Sequence, residues 1–229
     1  LQSGHKSHDI PVWDWIARDY NSSPTKPILD GESTYEDHPV NWKLENGYFR
    51  DYDVRKQLYR SVFAGACGVT YGHQAIRQFY GPEVKPAGYP DRFWTEALDR
   101  PGAFQAGYLK NLILSRPPLN RVPDQSIVVS GQGEKGEFIM AFRDASGSYG
   151  MVYLPVGKKI EVSTKWINAP KIVAWWFNPR NAESQKIGEF KKEGKLSFEP
   201  PSTGIENDWV LILEDADRKW MVPGTKMTN

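Results

Sequence analysis

The amino-acid sequence predicts an α/β half followed by an all-β half. Residues 9–20 read as an amphipathic helix, and residues 27–29 as a short apolar run that breaks into Asp30-Gly31-Glu32. Residues 53–64 and 68–71 repeat that order of helix and strand, which is the βα alternation of a parallel sheet. From about residue 123 the pattern changes to short β-rich runs separated by turns, the spacing of an antiparallel sandwich.

Leu1-Gln-Ser-Gly-His5 reads as the end of a strand passing into a polar loop. In the helix over 9–20, Asp9 is the expected cap and Pro11 sits in the first turn, where its missing N–H costs little. Val12, Trp15 and Ile16 are its expected apolar face. The strand over 27–29 is expected to be buried. A long loop, 31–53, carries Tyr35, His38, Trp42, Tyr48, Phe49 and Tyr52. Loops of that length in a compact chain are functional or disordered, and this aromatic content argues for function. The helix over 53–64 takes Asp53 as its cap and buries Val54, Leu58 and Val62. The small residues of 64–70 let helix and strand pack closely. A helical turn at 94–98 precedes a helix over 103–115, with Phe104, Tyr108, Leu109, Leu112 and Ile113 facing inward until Pro117-Pro118 stops it. Eight strands follow, at 126–129, 137–143, 149–154, 159–162, 172–177, 187–190, 195–198 and 209–214, with hairpin-like turns at Asp144-Ala-Ser-Gly147 and Glu193-Gly194. The domain boundary falls between 122 and 123.

Composition narrows the function. Lys+Arg of 29 against Asp+Glu of 28 leaves no basic excess, so nucleic acid is not the expected partner. No apolar run reaches the length of a membrane span, and no signal peptide opens the chain. The single cysteine, Cys67, excludes an intrachain disulfide framework and a Cys-based zinc site. Set among small apolar residues, Cys67 is expected to be buried and inert. The 30 aromatic residues, 9 Trp, 11 Tyr and 10 Phe, fit large cores first and sugar-stacking platforms second.

Chemistry concentrates after the strand at 27–29. Within a few residues the loop offers Asp30, Glu32, Glu36 and Asp37, with Tyr35 and His38 among them. Like charges this close raise one another's pKa unless they have partners. Glu32 is the candidate catalytic carboxylate and Glu36 the second choice. A solvated acidic loop or a structural ion-pair network accounts for the same residues. Asp30 reads as a loop residue bonding backbone amides, and Arg55 as one half of an ion pair at the core edge. His5, His38 and His73 lack metal-ligand spacing, so neither metal nor cofactor is expected.

The order of elements looks like the C-terminal portion of a (β/α)8 TIM barrel with an appended sandwich. Several stretches carry a closer resemblance: Leu1-Gln-Ser-Gly-His5, Pro27-Ile-Leu-Asp-Gly-Glu-Ser-Thr-Tyr-Glu-Asp-His-Pro-Val-Asn41, Asp53-Val-Arg55, Ser61-Val-Phe-Ala-Gly-Ala-Cys-Gly-Val-Thr-Tyr-Gly-His73 and Arg121-Val-Pro-Asp124. Together they resemble the apiosidase-like glycoside hydrolases, glycoside hydrolase family 140, whose C-terminal sandwich bears a collagen-binding label. In the sandwich only Trp175-Trp-Phe-Asn-Pro-Arg180 is characteristic.

The resemblance implies a retaining glycosidase acting on plant cell-wall or related glycans, bacterial and secreted or periplasmic. It places the nucleophile at the end of the seventh barrel strand, where Glu32 stands, with Tyr71, His73 or an arginine expected to donate to it. The acid/base belongs to the fourth strand, expected upstream of this chain, so a missing N-terminal segment or a partner chain is expected to complete the barrel. Tyr35, Glu36, His38, Trp42, Tyr71, His73, Gln78 and His5 are the candidate substrate-binding residues, and Tyr80 a further stacking candidate. A non-catalytic carbohydrate- or protein-binding sandwich with a barrel remnant is the rival reading. Trp175, Trp176 and Phe177 alternate across a strand, so at least one faces inward and the others pack or form a platform.

Overall fold

A computed structural model describes residues 1–225. It divides into two compact units: Leu1–Val62 with Ala66–Gly107, and Phe63–Gly65 with the chain from Tyr108 onward. The chain is the C-terminal portion of a (β/α)8 barrel followed by an antiparallel β-sandwich.

In the first unit, β1 (Leu29–Asp30) pairs in parallel with β2 (Gly68–Val69). Gln2 adds a parallel bridge to Glu32, and Glu36 another to His73. Three neighbouring chain segments therefore run in one direction, with helices between them, as in the wall of a barrel. The first helix, α1 (Val12–Tyr20), begins at Pro11 without a side-chain cap. Asp9 does not cap it but receives Lys56 Nζ at 3.3 Å. Trp13 is buried in place of the expected Trp15, with the Arg60 guanidinium 4.8 Å over its ring. Leu29, expected to be buried, is exposed, and Asp30 is the buried residue of β1. A polar side chain inside needs partners, and Asp30 has them. Its oxygens accept from Ser3 N, Ser3 Oγ and Ser61 Oγ at 3.2, 2.7 and 2.9 Å.

Helix α2 (Asp51–Phe63) starts two residues before the expected position. Asp53 is inside its first turn and reaches back to Arg50 N at 3.0 Å, satisfying one of the helix's unpaired amides. Val54, Leu58 and Val62 are buried as expected. Cys67 is exposed, contrary to expectation, because it falls outside the packed face just before β2. A short helix α3 (Trp94–Ala97) leads to α4 (Pro101–Leu114), on which Phe104 is exposed while Gln105 is buried against Arg55 and Asp51. Among the described residues no helix is long and apolar enough to cross a membrane.

Among its described residues the second unit holds nine antiparallel strands in two sheets. β3 (Arg121–Pro123), β5 (Met140–Asp144), β6 (Tyr149–Leu154), β11 (Trp209–Asp215), β8 (Lys171–Phe177) and β9 (Ser184–Lys191) form one sheet in that order. β10 (Lys195–Phe198), β7 (Ile160–Ser163) and β4 (Val128–Ser130) form the other. The Asp144–Gly147 turn makes the expected hairpin, and Gly147 takes the left-handed backbone it requires. Glu193-Gly194 does not make a hairpin, because β9 and β10 lie in different sheets. Inward residues of both sheets, among them Val152, Ile160, Val162, Ile172, Trp176, Phe198 and Leu211, form one apolar core.

The six-stranded sheet is covered on its other face too, since every residue of β6 is buried. Phe63 packs edge-on against Phe142 at 4.7 Å, and the Tyr149 hydroxyl donates to the Pro117 carbonyl at 2.8 Å. Trp176 faces the core, Phe177 is buried, and Trp175 Nε1 donates to Glu214 at 2.9 Å. Arg116 and Glu214 form a buried pair at 2.7 Å. Removing one member of such a pair strands the other charge away from water. Glu214→Ala is expected to destabilise the sandwich by about 3–5 kcal/mol, read from chemical denaturation. A loss below about 1 kcal/mol would show that Arg116 finds another partner.

Candidate active site

Glu32 is clamped by backbone on both sides. Gly31 N donates to Leu1 O and Gly4 N to Glu32 O, each at 3.0 Å, while Thr70 Oγ1 donates to Gly31 O at 2.8 Å. These bonds fix the end of β1 between its two parallel neighbours, which is where barrel enzymes place functional side chains. The Glu32 side chain is 38% exposed and lines a cleft of about 300 Å³ with His5, Tyr35, His38, Trp42 and Arg77. The size suits a sugar ring.

The floor of the cleft is a histidine stack. The His5 and His38 rings lie 4.1 Å apart and nearly parallel. Trp42 meets both edge-on, at 5.6 and 5.3 Å, and Tyr35 closes on His5 at 4.5 Å. Gly72 is what lets Tyr35 sit there, since a Cβ at that position would lie 2.2 Å from its ring. His38 Nδ1 donates to the Pro39 carbonyl at 2.7 Å. Both ring nitrogens of His5 are buried without a hydrogen-bond partner. Burial, then the neighbouring His38 and Arg77, push His5 down to about 3. Burial pushes His38 down to about 4, against the Pro39 carbonyl. Both rings are therefore neutral near pH 7. His5 Nδ1 is 3.9 Å from Glu32 Oε1, too far for a hydrogen bond.

Four of the residues expected to bind substrate stand elsewhere. Glu36 is fully buried and accepts from the Tyr71 hydroxyl at 2.7 Å and from Gly102 N at 3.1 Å. Burial raises its carboxyl above the usual range, against the Tyr71 bond and Arg100. A side chain on residue 102 would collide with it, at 2.5 Å. His73 Nε2 donates to Asp37 at 3.1 Å while its Nδ1 accepts from Ala75 N at 3.0 Å, which sets its tautomer. Gln78 bonds the backbone of Ala87. Tyr71 and His73 thus serve Glu36 and Asp37, not Glu32. Asp37 is the centre of this second group. Arg92 and Arg100 reach it at 3.0 and 2.8 Å, and Arg50 also donates to it. Burial pushes Asp37 up, but His73 and the three arginines outweigh it and hold the carboxyl down at about 2. Sequence reasoning missed Arg77 in the cleft and the arginines at 50, 92 and 100. Arg77 lies four residues after His73, a spacing that was its only signal. Among the described residues no cluster of three or more His, Cys, Asp or Glu is placed to hold a metal.

Comparison with known proteins decides the family. A family model described as "Apiosidase-like, catalytic domain" matches residues 1–120. The chain belongs to the apiosidase-like family. A model described as "Putative collagen-binding domain of a collagenase" matches residues 122–214 of this apiosidase-like chain. It is similar to a solved structure named glycoside hydrolase, with 38% identity and a TM-score of 0.90 over 96% of this chain and 53% of that one. It is also similar to a glycoside hydrolase family 5 structure from Bacteroides vulgatus, with 32% identity and a TM-score of 0.91 over 100% of this chain and 53% of that one. The apiosidase-like chain thus spans about half the length of these solved structures. None of the curated proteins matches it.

Two predictions follow from the electrostatics. A histidine whose folded pKa is depressed favours folding only while neutral, so its contribution is complete above the unfolded value near 6.5 and declines as the pH falls below it. With both His5 and His38 depressed, stability is expected to fall by up to about 2.7 kcal/mol per pH unit from roughly pH 6 to roughly pH 4. A pH series of urea melts checks this, and a His38→Gln variant should fall about half as steeply. Asp37 acts in the same sense as the histidines, over a lower pH range. Its stabilisation is present above the unfolded value near pH 4 and is lost as pH falls through about 2. Asp37→Asn is expected to cost about 2–3 kcal/mol at pH 7, with the gap to the parent protein closing near pH 2.

Proposed function

We propose that this chain carries the nucleophile half of a retaining glycosidase of family 140 type, with Glu32 as the nucleophile. The observation that carries the reading is a half-exposed carboxylate at the end of a parallel strand, facing an aromatic-lined cleft of sugar-ring size. The similarity to structures named glycoside hydrolases supports it.

In this mechanism Glu32 attacks the anomeric carbon while an acid protonates the leaving oxygen. Water then displaces the enzyme with the same residue as base. The acid must lie about 5–5.5 Å from Glu32, and the reading assigns it to an earlier barrel strand. Glu32 must be ionised to attack. Its side chain is open to solvent, and the Arg77 guanidinium is among the residues that line the same cleft. The neutral histidines add no proton of their own near pH 7. Tyr35, His38 and Trp42 offer one hydroxyl and aromatic faces to the sugar. The buried Glu36–Tyr71 and Asp37–His73 pairs hold the loop that carries these residues and do not contact substrate. The substrate class is plant cell-wall or related glycan, met outside the cytoplasm.

The test is hydrolysis of an aryl-glycoside panel by the intact native protein. Glu32→Gln is expected to lower kcat on the order of 10⁴-fold without lowering the melting temperature, and NMR of the first-formed product should show the substrate's anomeric configuration. Retained turnover in Glu32→Gln, or inverted product, would sink the assignment.

A further inference from the structure

The loop through Ala87, Gly88 and Tyr89 is fixed by side chains reaching it from elsewhere. Gln74 Nε2 donates to the carbonyls of both Ala87 and Gly88 at 2.7 Å. Gln78 donates to the Ala87 carbonyl at 3.0 Å and accepts from Ala87 N at 2.8 Å. The Tyr48 hydroxyl donates to the Tyr89 carbonyl at 3.1 Å. These five bonds hold Gly88 and Tyr89 at φ of 66° and 53°. Glycine adopts that region freely, but a residue with a large ring does so at a cost. Strain of this kind persists where its surroundings enforce it, and it concentrates at ligand sites.

The strained residue is not buried in return. Tyr89 is 57% exposed. Trp42, which lines the cleft, repeats the pattern, with φ of 57° and 51% exposure. The two are close through the backbone. A Cβ on Gly88 would lie 3.8 Å from Trp42 Cδ1 and 3.8 Å from Arg77 Nη2, so Gly88, next to Tyr89 in the chain, lies beside two of the cleft-lining side chains. Exposed aromatic rings on a pre-set backbone suit a ligand with an apolar face, because little side-chain freedom is lost on binding. A sugar ring has such a face in its C–H bonds, and hydroxyls at its edge for the Arg77 guanidinium.

We propose that Tyr89 and Trp42 form a stacking platform for a second sugar ring at the mouth of the Glu32 cleft, so that the site takes an oligosaccharide. Gln74 and Gln78 are then positioning residues, which set the platform's backbone without touching sugar. The proposal rests on reading the cleft as a glycan site, but it concerns binding and not the identity of the nucleophile.

The test is calorimetric titration of the intact native protein carrying Glu32→Gln. The probe is a partial acid hydrolysate of plant cell wall, fractionated from monosaccharides to hexasaccharides. Tyr89→Asn in this background keeps a residue that tolerates the left-handed backbone and removes the ring. It is expected to weaken oligosaccharide binding about tenfold, leave monosaccharide binding unchanged and leave the melting temperature equal or higher. Tyr89→Phe should bind as the parent does. Equal binding by parent and Tyr89→Asn at every chain length would overturn the proposal, as would equal losses for monomer and oligomer, or no binding of any fraction by the parent. Turnover assayed separately distinguishes the two readings. Activity persisting in Glu32→Gln removes the nucleophile assignment and leaves the dependence on chain length standing.

Discussion

A single buried carboxylate organises the barrel unit. Asp37 is excluded from solvent, yet it is held as an anion by His73, Arg50, Arg92 and Arg100. Burying an anion is costly unless it is paired and hydrogen-bonded, and an arginine left without it would be costly in turn. The cluster therefore holds together as a whole. It draws together the start of α2, the segment after β2 and the turn before α4. Asp37 itself sits at φ of 55°, with its amide on the Phe49 carbonyl. That places Glu36 on one side of it, bonded inward to Tyr71 and Gly102, and His38 on the other, turned toward the cleft.

The cleft inherits its electrostatics from this arrangement. The carboxylates at 36 and 37 are taken up by partners, so Glu32 is left as the acid of the loop that faces the opening. Beside it stand two imidazoles kept neutral by burial. A charged histidine there would add a second cation next to Arg77. The result is one carboxylate and one guanidinium among aromatic faces, a mixture that suits a ligand with both hydroxyl edges and apolar faces.

Much of the architecture was legible. The βα alternation and strands such as 149–154 and 195–198 follow from periodicity and turn residues. Errors fell where burial depends on distant partners. Trp13 and not Trp15 turns inward because Arg60 lies over it. Asp30 and not Leu29 is buried because Ser3 and Ser61 await it. Glu193-Gly194 has the composition of a hairpin but crosses between sheets, a fact of topology that composition does not carry.

The sequence by itself determined that four acids, Asp30, Glu32, Glu36 and Asp37, crowd a loop after a short strand. Only the tertiary structure decided which acids are occupied. Glu36 and Asp37 stand just before His38 in the chain, yet apart from Arg50 their partners, Tyr71, His73, Arg92, Arg100 and Gly102, come from 35 or more residues away. Ion pairs and hydrogen bonds act over a few ångströms, and chain folding alone brings those groups within that range. The same reason hid Tyr89, whose backbone is set by Gln74, Gln78 and Tyr48.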